Sequence, residues 1–213
     1  ASMARTQAHR LVSVSTPLGD DVLLLRAMSG EEQLGRPFQY ELELSSEKYD
    51  LAFQDIVGKN VTVRLELDDQ TTRYFNGYVS RFKQLPGRGR LARYKATLVP
   101  WLWLLSRTAD CRIFQSQTVP EIIKEVCKDH GFDQIDDRLN SSYRTWDYCV
   151  QYRETAFNFI SRLMEQEGIY YFFTHENGSH TLVLCDAPGA HETHEGYPTL
   201  VYRTPDESPA REH

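Results

Sequence analysis

The chain has 213 residues, of which 40% are hydrophobic and 12% aromatic, and its formal net charge is −6. A chain of this length buries roughly 70% of the surface that it exposes when unfolded, so it can form one large globular domain or two small ones. The acidic balance argues against a nucleic-acid partner, because such proteins depend on neutralising phosphates. No apolar run approaches the roughly 20 residues of a membrane-spanning helix, so we expect no stable membrane anchor.

The first half of the chain has the pattern of short antiparallel strands. Apolar and polar residues alternate in most of six stretches, which places one face of each strand in a core. Six or seven strands at such short spacing predict a small antiparallel barrel or sandwich. Gly77, inside the fifth stretch, predicts a bulge or a strong bend. The stretches are residues 11–14, 22–28, 38–44, 61–67, 73–82 and 91–99.

The second half combines helix and hairpin signals. Thr118 and Glu121 form a capping box that predicts a helix over about residues 119–130. A strand over 148–152 is expected to break at 153–154, and Thr155 then caps a helix that Gly168 ends. Asn177-Gly178 predicts a two-residue hairpin turn in which both residues have positive φ. The second helix is placed at about residues 155–167, the hairpin at about 169–186, and a polar loop at 133–142.

The predicted fold class is therefore a β-rich α+β protein. An antiparallel β-barrel is assigned to residues 1–105, and a mixed strand–helix–hairpin region to residues 106–213.

No catalytic or metal-binding pattern stands out in the sequence. His191 and His194 are three positions apart beside glycines and prolines, which does not fit the helical zinc-protease motif, so a solvated loop is favoured. His175 and His180 flank the predicted turn, and the default interpretation is an exposed pair. The four cysteines lie too far apart for a CxxC pair, and we expect them to be buried free thiols. Because no nucleophile elbow or phosphate loop is present either, we expect no enzyme activity, no cofactor and no bound metal.

Two stretches are candidates for contacts with a partner protein. The first is a run of basic residues without any acid, which either docks on an acidic surface or is simply a solvated hairpin end. The second is an apolar segment around two tryptophans, which either contacts another subunit or belongs to the core. The basic candidates are Arg81, Lys83, Arg88, Arg90, Arg93 and Lys95, and the apolar candidates are Trp101 and Trp103.

The order and spacing of several segments resemble a known family. The longest is residues 148–173, and the most specific is the Pro-Trp-Leu-Trp-Leu-Leu run at 100–105, followed by residues 110–115. Together with residues 35–44, 57–61 and 73–78, they resemble the N-terminal part of the hub domain of VgrG proteins. These are the spike proteins of bacterial type VI secretion, which are relatives of the baseplate hubs of contractile phage tails.

The resemblance implies a structural role without catalytic residues. In this family, three chains form a hub that sits on the hexameric tube and carries a puncturing spike and its effectors. The expected partners are thus two further copies in the full-length protein, the tube protein hexamer, baseplate proteins and effectors. Assembly in the bacterial cytoplasm and injection into a target cell would follow. The alternative from another class is a small β-barrel hydrolase or a carbohydrate-binding module.

Overall fold

The structure, a computed structural model, describes residues 6–67, 71–86 and 90–192. In this part of the chain, six antiparallel strands form one sheet with the order β1-β4-β5-β6-β3-β2. The sheet curls into a half-barrel, which confirms the predicted β-rich class. Its strands are β1 (Val12–Ser15), β2 (Leu24–Glu31), β3 (Gln39–Ser46), β4 (Asn60–Glu66), β5 (Thr72–Leu85) and β6 (Ala92–Val99).

Alternation along the strands decides which face is buried. In β3, Leu42 and Leu44 are buried on the inner face, whereas Glu41 and Glu43 point outward. Because side chains alternate with a period of two, the hydrophobic pattern also fixes the register of each ladder. The six predicted strands are thus found within three residues of their expected bounds.

The side chain of Gln7 bridges the two edge strands of the half-barrel. Its amide oxygen accepts hydrogen bonds from the main-chain N–H groups of Val14 (3.1 Å) and Leu25 (3.0 Å). Its amide nitrogen donates to the carbonyl oxygens of Val14 (3.3 Å) and Leu23 (3.1 Å). This one buried side-chain amide therefore donates and accepts hydrogen bonds on both sides, as the peptide group of a strand between β1 and β2 would.

Gly77 has a different role from the predicted bulge. It pairs regularly with Val61, and the register shift in β5 lies between Val79 and Arg81 when the strand is paired with β6. A Cβ atom at Gly77 would lie 3.0 Å from the carbonyl oxygen of Val99 and 3.2 Å from the ring of Phe38. The glycine is required by close packing, and the sequence pattern alone does not distinguish this from a bulge.

The second half contains three helices and five strands within the described residues. The predicted caps are found: the Thr155 hydroxyl accepts from the Asn158 N–H (3.1 Å), and Gly168 has the left-handed φ of +73°. The Thr118 N–H donates to the Glu121 carboxylate (2.7 Å), as the capping box predicts. The elements are α1 (Trp101–Leu104), β7 (Ala109–Phe114), α2 (Val119–Asp129), β8 (Ile135–Arg138), β9 (Cys149–Thr155), α3 (Ala156–Glu167), β10 (Tyr170–Glu176) and β11 (Ser179–Cys185).

Three local predictions need correction. The polar segment that contains Asp136 is the parallel strand β8 beside β11, and the prediction of a loop there was wrong. Strand β9 does not break at 153–154 but continues to Thr155 through a bulge, in which Arg153 has a φ of +50°. In the Asn177-Gly178 turn only Gly178 has a positive φ (+86°), and its N–H donates to the Thr62 hydroxyl of the sheet (3.2 Å).

The hydrophobic core is continuous from the half-barrel into the second half. Phe38 packs against Phe173 of the hairpin, with ring centroids 5.1 Å apart. Phe159 of α3 stacks on Phe114 of β7, and both belong to the same buried cluster as Phe38. The change at residue 105 is therefore a change of secondary structure within one core, and the assignment of two domains stays a prediction.

Candidate interaction surfaces

Four of the six predicted basic residues, Arg81, Lys83, Arg93 and Lys95, lie on the outer face of β5 and β6. Lys83 is directly opposite Lys95 across the ladder, and Arg81 precedes Lys83 by two positions on the same strand. Arg90 is exposed before β6, and Arg88 lies outside the described residues.

The neighbouring strand β3 provides acidic partners for two of the five basic residues that the structure describes. Lys95 forms an ion pair with Glu41 (3.1 Å), and Arg93 lies 3.7 Å from Glu43. Burial by itself would raise the pKa of Glu41, but hydrogen bonds from Thr97 and Lys95 outweigh it and lower that pKa. In the described part of the chain Arg81, Lys83 and Arg90 have no ion pair, and we call these three residues the cationic patch.

The tryptophan segment belongs mainly to the core. Trp101 is 0% exposed and stacks on Phe132 at a centroid distance of 4.9 Å, so the interface candidate Trp101 is corrected to a core residue. Pro100 precedes the first turn of α1, and that turn directs Trp101 inward. Trp103 is half-buried, with the guanidinium of Arg107 5.5 Å from its ring centroid. Trp103 alone of the two keeps an accessible surface.

Three large exposed side chains lie on, or directly before, the strands of the two-stranded ribbon of β7 and β9. Ile113, Tyr148 and Tyr152 are 58%, 53% and 63% exposed. Cys111 is paired with Tyr152 and Ile113 with Val150, and directly opposed residues share a face, so these side chains lie together. We call Cys111, Ile113, Tyr148, Val150 and Tyr152 the ribbon face.

The sequence contains a signal for the ribbon face. Tyr148, Val150 and Tyr152 alternate with the buried Cys149 and Gln151, and either set could have been the outer one. β7 was not predicted as a strand, so the second half of the ribbon face was missed. Cys111 is also the exception among the cysteines, because it is exposed whereas the other three are buried.

His175 and His180 are not an exposed pair, and that default interpretation was wrong. They face each other across the β10–β11 ladder, with ring centroids 5.9 Å apart, and His180 is 1% exposed. The main-chain N–H of Asn76 donates to Nδ1 of His175 (3.1 Å), and that of Trp101 donates to Nε2 of His180 (2.9 Å). These nitrogens accept hydrogen bonds from the main chain of β5 and of the first residue of α1, so the pair is a structural contact and not a metal ligand set.

The acidic and cysteine side chains in the described part of the chain form no enzyme-like cluster. Asp136 and Asp137 form ion pairs with Arg138 and Lys124, as expected for solvated carboxylates. Burial raises the pKa of the Cys127 thiol to about 12, which makes it unreactive. Within residues 6–67, 71–86 and 90–192, no three side chains of His, Cys, Asp or Glu converge as metal ligands. His194 lies outside the described residues.

Comparison with known families identifies the fold. The family described as "Phage tail baseplate hub (GPD)" matches residues 31–213 of the chain. The chain belongs to the phage tail baseplate hub family. This finding agrees with the resemblance that was based on residues 148–173 and on the Pro-Trp-Leu-Trp-Leu-Leu run.

Within this hub family, the chain is similar to named type VI secretion proteins. It is 56% identical over 203 residues to the spike protein VgrG1b of Pseudomonas aeruginosa, covering 95% of this chain and 27% of that protein. It is 56% identical over 199 residues to VgrG1a of the same organism, covering 93% of this chain and 31% of that protein. The actin cross-linking toxin VgrG1 of Vibrio cholerae is 35% identical over 179 residues, or 80% of this chain and 16% of that protein. The chain thus spans less than a third of the length of these relatives.

Solved hub structures show the same fold. The E. coli c3393 protein, described as a component of the type VI secretion system with structural similarity to the phage T4 tail proteins gp27 and gp5, matches with a TM-score of 0.70. It is 27% identical, and the match covers 80% of this chain and 50% of that one. The half-lidded complex of PdpA with VgrG from Francisella matches with a TM-score of 0.53 at 13% identity, covering 75% of this chain and 26% of that one, which shows the fold alone.

Proposed function

We propose that this chain is the N-terminal part of the hub of a type VI secretion spike protein, and that it acts as a structural component and not as an enzyme. The observation that carries the proposal is the 56% identity to a named spike protein over 95% of the chain. The similarity to the c3393 protein supports it independently at the level of fold. Function in this setting depends on surfaces, so the ribbon face and the cationic patch are the regions to consider.

The ribbon face is suited to a contact between copies of the chain. Large aromatic side chains supply most of the energy of protein interfaces, and Tyr148 and Tyr152 are of this kind. A closed three-fold ring requires two different patches of one subunit to meet, so the ribbon face would pack against another region of the next copy. We propose a homotrimer in the full-length protein, with the ribbon face buried in it.

The cationic patch is suited to an acidic partner. Arg81 and Lys83 are adjacent on the outer face of β5 and lack ion pairs among the described residues, so their charge is available to another protein. We propose that this patch faces the hexameric tube protein. Association through exposed charges of this kind weakens as the salt concentration rises.

Two features favour a structural role over the alternative of a hydrolase or carbohydrate-binding module. The buried histidines use their nitrogens for main-chain hydrogen bonds, which leaves no free base there. Two of the exposed aromatic residues, Tyr148 and Tyr152, lie on or directly before strand β9 of the ribbon, where they are more than half exposed. One relative carries the name of a toxin, but its match to this chain covers only 16% of that protein.

Effectors and baseplate proteins would be further partners, since the Francisella structure is a complex of VgrG with PdpA. We further propose that the full-length protein assembles in the bacterial cytoplasm and is then secreted or injected into a target cell. Among the described residues, no helix is both long and apolar enough to span a membrane.

A segment exchange tests the proposed function. The matching 203 residues of P. aeruginosa VgrG1b are replaced by this chain, and secretion of the chimera and of the tube protein into the medium is measured. We expect both to be secreted, because a hub segment that is 56% identical should assemble with the same partners. A chimera that folds but is not secreted, together with a polysaccharide-binding or hydrolytic activity of the isolated chain, would support the alternative.

Paired variants in this chimera test the ribbon face. Tyr152→Asp places a charge in the proposed contact, and we expect secretion to be lost. Leu11→Asp is the matched control, because Leu11 is 65% exposed directly before β1 and does not belong to the ribbon. Equal secretion of both variants would remove the ribbon face from the proposal.

A further inference from the structure

The β10–β11 hairpin is attached to the curled sheet through a buried polar cluster. His175 and His180 project from the hairpin, and Asn76 of β5 lies between them. The ring of Phe38 packs against both imidazoles, at centroid distances of 4.9 and 5.4 Å. The cluster is the main polar contact at this junction, so its protonation state affects how the hairpin is held.

The hydrogen bonds assign one role to every ring nitrogen. Nε2 of His180 accepts the main-chain N–H of Trp101 (2.9 Å), so Nδ1 carries the proton and donates to Oδ1 of Asn76 (2.8 Å). Nδ1 of His175 accepts the main-chain N–H of Asn76 (3.1 Å), so Nε2 donates to the hydroxyl oxygen of Tyr40 (3.1 Å). Tyr40 in turn donates its proton to Glu32 (2.7 Å). Both histidines are therefore neutral, because each needs one unprotonated nitrogen.

The surroundings offer little compensation for a positive charge. Around His180 the neighbouring rings are Phe38, Tyr78 and Phe173, and among the described residues no carboxylate forms an ion pair with it. Burial and the neighbouring His175 lower the pKa of His180 to about 3.

His175 faces charges of both signs. Glu32, reached through Tyr40, favours a charge on His175, and Arg73 on β5 opposes it. Burial has the largest effect and lowers the pKa of His175. Neither histidine is therefore stabilised as a cation.

We propose that this cluster is a proton-sensitive joint that releases the β10–β11 hairpin from the curled sheet in acid. Protonation of His180 or His175 converts an accepting nitrogen into a second N–H, which then faces the N–H of Trp101 or Asn76. The hydrogen bond becomes a contact between two donors in a buried site, and opening the joint relieves it by exposing the imidazole to water.

The direction and size of the effect follow from linkage. An exposed histidine has a pKa of about 6.5, whereas His180 in the docked hairpin has a pKa of about 3. The hairpin is therefore docked with its full stability above about pH 6.5. The docking of the hairpin weakens as the pH falls from about 6.5 toward 3. At pH 4.5 the equilibrium for opening is shifted about a hundredfold by His180 alone.

Amide hydrogen exchange of the 213-residue chain at pH 7.5 and pH 4.5 tests the joint. After correction for intrinsic exchange rates, we expect the opening equilibrium of β10, β11 and the amides of Asn76 and Trp101 to rise about a hundredfold or more in acid. The β7–β9 ladder, to which neither imidazole is hydrogen-bonded or packed, should change by less than about threefold. Unchanged protection of the hairpin, or an equal loss in the β7–β9 ladder, would overturn the proposal.

A variant of His180 distinguishes the titration of this side chain from other effects of acid on the protein. In His180→Gln, the amide oxygen can still accept the Trp101 N–H but does not titrate, so we expect about a hundredfold less response of hairpin opening to acid. The exposed His9→Gln is the matched control and should respond like the wild-type chain. If His180→Gln does not fold, the imidazole titration of the wild-type chain decides, because a pKa near 6.5 for His180 in the folded protein would refute the joint.

Discussion

Replacement of Gln7 by leucine isolates the contribution of a single side chain to closing the half-barrel. Gln7→Leu keeps the volume of the residue but removes the amide that bridges β1 and β2. It leaves the N–H groups of Val14 and Leu25 and the carbonyl of Leu23 without the partners they have in the structure. The position is buried, so water does not replace these hydrogen bonds without a local opening of the sheet edge.

The expected loss of stability follows from the four hydrogen bonds. Each contributes about 1 kcal/mol net, so together they contribute about 4 kcal/mol. The leucine side chain recovers about 1–2 kcal/mol through its own burial. We therefore expect the free energy of unfolding to fall by about 2–3 kcal/mol.

Urea denaturation followed by tryptophan fluorescence measures this change. The exposed Gln54→Leu is the matched control, because it makes the same chemical change at the surface, and it should lie within about 0.5 kcal/mol of the wild-type chain. A Gln7→Leu variant as stable as this control would show that the edge strands are held together without the amide bridge.

Three further predictions concern the core, the sheet and metal content. Phe159→Ala should lower the free energy of unfolding by about 3–5 kcal/mol, because Phe159 is fully buried against Phe114; a variant that melts like the wild-type chain would show that the buried face of α3 is wrong. Gly77→Ala should destabilise by about 1–3 kcal/mol in the same denaturation assay, because the added Cβ meets the carbonyl of Val99 at 3.0 Å; an unchanged midpoint would contradict this close packing. Elemental analysis after dialysis against a mild chelator should find no stoichiometric metal, and about one zinc per chain would revive the histidines as ligands.

Features that depend on neighbouring residues in the sequence could be predicted. The Thr155 cap, the Gly168 end of α3 and the capping box of Thr118 each require only three to twelve consecutive residues, and all are found in the structure. The strands of the half-barrel were predicted for the same reason, since alternation is a property of each strand alone.

Features that depend on distant segments could not be predicted. The polar segment of β8 becomes a strand only because β11 lies beside it, and nothing in its own residues indicates this. His175 is half-buried and His180 is buried because Asn76 of β5 and Trp101 supply main-chain donors from 99 and 79 positions earlier in the chain.

The candidate interaction surfaces were likewise predictable only in the features that depend on neighbouring residues in the sequence. The sequence located the basic residues, but not that Glu41 and Glu43 would neutralise Lys95 and Arg93 from the next strand. It also identified the Trp101 segment as apolar without deciding between core and interface, because composition alone does not give the direction of a side chain.

The continuous core has a consequence for synthesis on the ribosome. Phe38 is made early, but its partners Phe173 and His180 belong to the last elements that the structure describes. At about 5–20 residues per second, the 85 residues from Trp101 to Cys185 take about 4–17 s to synthesise. During that interval the half-barrel cannot bury the side chains that later contact the hairpin. The nascent chain therefore exposes the apolar face of the sheet to solvent for seconds, which is long enough for a chaperone to bind it and for unprotected chains to associate.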